Sequence, residues 1–139
     1  MNELITLEQY LNQAPTPSAE LLDHAKDLLI KVNSMLQDMG ITSVTMTSGY
    51  RPPLYNAAIG GATNSKHTTC QAIDLADNDR KLGNILKFSP MHLMKRGMAV
   101  EQLEYCVRAN GNKWTHIQSV LPKSGKTFFI PYAGPIILK

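Results

Sequence analysis

Three residues in this chain have the side-chain types that hold a divalent metal: His67, Asp74 and His116. His67 closes a polar stretch, Asn64-Ser65-Lys66-His67, and Asp74 sits inside the apolar run AIDLA. His116 lies within Trp114-Thr115-His116-Ile117. A carboxylate in the middle of an apolar strand costs free energy unless something pairs with it. Two imidazoles and one carboxylate are also the ligand set of a catalytic zinc site, which keeps a fourth position for water. On residue types alone a second reading stands beside this one. A buried His–Asp pair with a separate structural histidine uses the same residues, because three separated positions form a weak pattern.

The elements that must position these groups can be read from periodicity. Leu4 to Leu11 predicts a short helix ending before Ala14-Pro15-Thr16-Pro17. Thr16 reads as an N-cap with Pro17 at the first helical position. Apolar residues from Leu21 to Met39 then recur at three- and four-residue spacing, so a helix is predicted over 17–39, stopped by Gly40. His24 falls on its polar face and reads as exposed. The β-branched, alternating stretch Ile41 to Ser48 predicts a strand, as does Ala72 to Ala76. A helical turn and a shaped loop are expected over 54–66, and helices over 78–87 and 90–96. Leu103 to Arg108 and Trp114 to Val120 predict a hairpin around Asn110-Gly111. The Pro-broken tail TFFIPYAGPIIL reads as edge strand. Helices preceding and interrupting an antiparallel sheet give the class α+β.

Composition narrows the setting. The 139 residues suit one domain, 1–139, and 43% apolar content with a net charge of +3 excludes a disordered chain. Lys and Arg are scattered rather than striped, which argues against a nucleic-acid partner. No apolar run is long enough for membrane insertion, and Met1-Asn2-Glu3-Leu4-Ile5 lacks the start of a secretion signal. Synthesis in the cytoplasm is therefore expected. Cys70 and Cys106 read as free thiols and bystanders, since a closed fourth position would abolish hydrolysis.

The order of motifs carries more than the residue types do. Ser48-Gly49-Tyr50-Arg51-Pro52-Pro53, Tyr55-Asn56, Ile59-Gly60-Gly61-Ala62, Asn64-Ser65-Lys66-His67, Ala72-Ile73-Asp74 and Trp114-Thr115-His116 follow one another. Together they resemble the zinc D-alanyl-D-alanine carboxypeptidase and phage endolysin-like peptidases (the M15 peptidases), over about residues 17–118. The resemblance implies a hedgehog/D-Ala-D-Ala-peptidase-like fold with one zinc ion per chain, held by His67, Asp74 and His116. It implies that Arg51 contacts substrate and stabilises the developing oxyanion, a task that suits a permanently charged fork of donors. Ser65 and Trp114 are implied on the substrate side.

A zinc hydrolase also needs a base for its water. Many relatives carry a Glu just before the W-H element, whereas this chain has Asn110-Gly111-Asn112-Lys113. Glu101 and Glu104 are the nearest carboxylates. A three-residue loop with Gly111 left-handed would pair Arg108 with Asn112, Cys106 with Trp114 and Glu104 with His116. That register makes Glu104 the expected base and turns Glu101 away, with Asp77 next in line.

The resemblance implies a monomeric metallopeptidase acting on peptidoglycan stem peptides or cross-links, as an endolysin or a virion-associated murein peptidase. Such a protein would act on the cell wall or as a virion component. The alternative is a non-catalytic zinc-binding relative serving as a wall-binding or phage structural module.

Overall fold

The computed structural model describes residues 3–62 and 64–122, together with the backbone of 128–129. Within them, helix α1 (Leu7–Leu11) is closed at its start by a reciprocal pair of bonds. Thr6 Oγ1 accepts from Gln9 N, and Gln9 Oε1 accepts from Thr6 N. Helix α2 spans Ala19–Asp38, starting two residues later than the prolines suggest. Ser18, not Thr16, is the cap, its hydroxyl accepting from Leu21 N at 3.3 Å. The buried stripe of α2, Ala25, Leu28, Leu29, Val32, Met35 and Leu36, covers one face of the sheet.

That sheet has five strands in the order β1-β2-β4-β3-β5, with every neighbouring pair antiparallel. The strands are β1 (Met46–Ser48), β2 (Ala72–Ala76), β3 (Ala99–Glu101), β4 (Trp114–Gln118) and β5 (Phe128–Phe129). Strand β1 is shorter than the alternation over 41–48 predicts: residues 41–45 lie outside it, although Thr45 O still accepts from Ala76 N. Helices α3 (Pro53–Ala58), α4 (Lys81–Phe88) and α5 (Met91–Met94) fill the connections. The core gathers Ile73, Leu75, Val100 and Ile117 from the sheet with the α2 stripe, Leu86 and Leu93. The class is α+β. Beyond Phe128–Phe129, the tail expected as edge strand lies outside the described residues.

The hairpin expected over 103–120 forms only in part. Arg108 N donates to Asn112 O and Trp114 N to Cys106 O, so the expected register holds as far as Cys106 and Trp114. There the chain leaves the sheet, and Leu103–Tyr105 is a 3-10 turn rather than a strand. The cause is Arg80. Its guanidinium donates to the carbonyls of Trp114 (2.6 Å), Leu103 (2.8 Å) and Cys106 (2.9 Å), holding the turn against the end of β4. The strand that does pair with β4 on this side is β3, which starts four residues upstream of the expected one.

Candidate metal centre

Asp74 and His116 face each other across the β2–β4 ladder, where they are register partners. His116 Nδ1 lies 2.9 Å from Asp74 Oδ1. His67 reaches the same oxygen from a 3-10 turn, Lys66–Thr69, its Nε2 3.2 Å from Asp74 Oδ1. Ser65 sets that turn by accepting from His67 N at 3.2 Å. Donor atoms of the three residues all lie within 4.8 Å of one another.

Two glycines allow the approach. A Cβ on Gly49 would collide with the Tyr10 carbonyl, and one on Gly61 with the Asn56 amide. Gly49 O accepts from His67 Nδ1 at 2.8 Å, while Asn56 donates to Ala62 O and accepts from Arg51. Both glycines thus keep backbone close to the groups that orient the site.

Hydrogen bonding decides which ring nitrogens can serve a metal. A carbonyl only accepts, so His67 Nδ1 carries the proton toward Gly49 and Nε2 presents a lone pair. That Nε2 is buried without a hydrogen-bond partner; Asp74 Oδ1 is near, yet not aligned as an acceptor. A lone pair facing a carboxylate inside a protein is a repulsive arrangement that a cation between them resolves. On β4, Gln118 Nε2 donates to Val120 O, which leaves Gln118 Oε1 facing His116 Nε2 at 3.0 Å. His116 Nε2 is therefore the protonated nitrogen, and Nδ1 is the one that can give up its proton to bind a metal.

Electrostatics agree. Burial would raise the Asp74 carboxyl, but the hydrogen bond and charge of His116 hold it well below the ordinary carboxylate range. His116 moves the other way. Burial alone would lower it, and the bond and charge of Asp74 raise it above the usual imidazole value. The donors are thus a permanently ionised carboxylate and two imidazoles with defined lone pairs, a set that fits zinc. His67, Asp74 and His116 can hold the ion.

They open on a cleft of about 930 Å³, lined further by Arg51, Ser65, Lys66, Glu101, Trp114 and Gln118. Arg51 is anchored on three sides, donating to Ser48 Oγ (2.9 Å), Asn56 Oδ1 (3.3 Å) and Asp74 Oδ2 (3.4 Å). Its guanidinium thus braces one carboxylate oxygen of the site while still lining the cleft. The Trp114 ring forms a wall, with the Arg108 guanidinium 5.3 Å from its centroid.

A family model described as Peptidase M15 matches residues 2–118. The chain belongs to the M15 peptidase family. No curated protein matches it. The match includes all three metal-binding candidates and ends at Gln118, whose amide touches His116.

For this M15 chain the expected base is misplaced. Glu104 lies exposed in the 3-10 turn and is absent from the lining of the cleft. Asp77 is equally unsuited. It is buried as the anchor of α4, accepting from Leu82 N, Gly83 N and Thr115 Oγ1. Glu101, expected to face away, lines the cleft instead. Gln118 was not expected at the site, and Asn56 entered only as part of the motif order; Gln118 had a signal, since residues i and i+2 of a strand share a face, here with His116. His24 is half-buried rather than exposed, its Nδ1 bonded to Thr69 O at 3.1 Å. Cys70 and Cys106 are free and buried.

Proposed function

We propose that the chain is a zinc metallopeptidase that hydrolyses peptide bonds in peptidoglycan stem peptides or their cross-links. The observation that carries this reading is the unpartnered Nε2 of buried His67, converging with Asp74 and His116 beside an open cleft. Zinc bound there supplies Lewis acidity for a carbonyl and lowers the pKa of water.

The chain's own residues account for the remaining requirements. Arg51 is fixed by Ser48 and Asn56, so its guanidinium meets a developing oxyanion without first having to be ordered. Arg51 and Lys66 give the cleft two cations, suited to stem peptides, which carry free carboxylates. Trp114 offers a flat apolar wall against which a peptide can lie. A role in phage lysis or in a virion agrees with the motif resemblance, and no helix among the described residues is long and apolar enough to cross a membrane.

The test is mass spectrometry of muropeptides after purified murein is incubated with the protein. New peptide products, lost with a chelator and restored by zinc, are expected. Stoichiometric zinc without any product would make the chain a zinc-binding, non-catalytic relative, and no zinc uptake would remove the metal altogether.

A further inference from the structure

We propose that Glu101 is the carboxylate that carries protons during hydrolysis and that the Cys106 thiol is its positioning residue. The inference rests on the peptidase reading above. Among the described residues, the only carboxylates lining the cleft are Asp74 and Glu101. Asp74 is committed, one oxygen to the two imidazoles and the other to Arg51. Glu101 is left.

Register puts it in place. Ala99 pairs with Gln118 and Val100 with Ile117, so one further step along β3 sets Glu101 beside His116. Residues directly opposite in an antiparallel pair share a face, with Cβ atoms about 5 Å apart. His116 thus stands between two carboxylates, Asp74 on β2 and Glu101 on β3.

Cys106 fixes the carboxylate. Its Sγ lies 3.4 Å from Glu101 Oε1, and the residue is fully buried. A carboxylate oxygen only accepts, so the thiol is the S–H donor of the pair. The Cys106 backbone is itself held, by N–H to Leu103 O and by Trp114 N and Arg80 on its carbonyl. One carboxylate oxygen is thereby tied down, and proton transfer needs only the other.

The step balances without any further reagent. The oxygen of a water molecule bonds to the scissile carbonyl carbon as one of its protons passes to a Glu101 carboxylate oxygen. That proton then moves to the leaving nitrogen as the C–N bond breaks. The products are a carboxylic acid and an amine, and Glu101 is again a carboxylate.

Five variants and one spectrum test this. Glu101→Gln is expected to fold and bind one zinc while its turnover of murein peptides falls about 10²–10⁴-fold. Glu104→Gln is expected to match the wild type. Cys106→Val is expected to lower turnover about tenfold without changing zinc content, and Cys106→Ser, which keeps a donor, to recover most of it. Independently of activity, the infrared S–H band that Cys106→Ser removes is expected to shift in Glu101→Ala. Undiminished turnover in Glu101→Gln overturns the catalytic assignment alone, and an unmoved S–H band overturns the positioning role. If the zinc-loaded wild type cleaves no murein, the peptidase reading falls and takes this proposal with it.

Discussion

Gln118 Oε1 lies 3.0 Å from Nε2 of His116, two residues earlier on the same strand. Because the Gln118 amide nitrogen is turned to the Val120 carbonyl, this contact selects one tautomer of a metal-binding imidazole. Gln118→Met keeps the length and packing of the side chain but removes the acceptor. Zinc affinity is expected to fall about 10–100-fold, with the fold intact by circular dichroism. Competition titration against a chromogenic chelator measures it. An unchanged dissociation constant would show that the tautomer is set elsewhere.

Arg51 joins the cleft to the metal centre through Asp74 Oδ2 at 3.4 Å. Arg51→Ala is therefore expected to act twice. Loss of an oxyanion donor lowers turnover about 10²–10³-fold, and loss of the brace on Asp74 weakens zinc by a smaller factor, about tenfold. Turnover measured at saturating zinc, beside a zinc titration, separates the two. A variant that loses zinc affinity but keeps wild-type turnover at saturation would confine Arg51 to the structural role.

Two buried thiols make the protein sensitive to alkali. Burial raises Cys70 from 9.0 to about 11, and burial with the Glu101 charge raises Cys106 from 9.0 to about 12. Where the folded-state value is the higher one, the unfolded chain loses its proton first as pH rises. The stability that each thiol contributes is thus complete below pH 9 and is lost progressively above it, up to about pH 11 for Cys70 and about 12 for Cys106. Each thiol adds a slope of about 1.4 kcal/mol per pH unit within its window. Urea unfolding from pH 8 to 10.5 is expected to flatten in Cys70→Ala relative to wild type. Parallel curves would contradict the assignment.

Much of the scaffold is local and so could be read from the chain. The apolar spacing from Leu21 to Leu36 names the face of α2 that covers the sheet, and AIDLA is β2 residue for residue. The motif order likewise pointed to His67, Asp74 and His116 before any contact among them was known. Even the hairpin register held from Arg108–Asn112 to Cys106–Trp114, because a left-handed Gly111 fixes it over a few residues.

What the chain alone left open was decided at long range. Glu104 and Glu101 both precede β4, and local alternation favours the nearer one. The outcome turns on Arg80, more than twenty residues upstream of the Leu103 and Cys106 carbonyls it binds, which holds Leu103–Tyr105 out of the ladder. With that stretch curled into a turn, the place beside His116 passes to β3 and so to Glu101. The Asp74–His116 pairing and the turn of the Gln118 amide arise in the same way. Periodicity reports which face of an element is apolar, whereas strand neighbours and side-chain hydrogen-bond partners are selected by packing between distant segments.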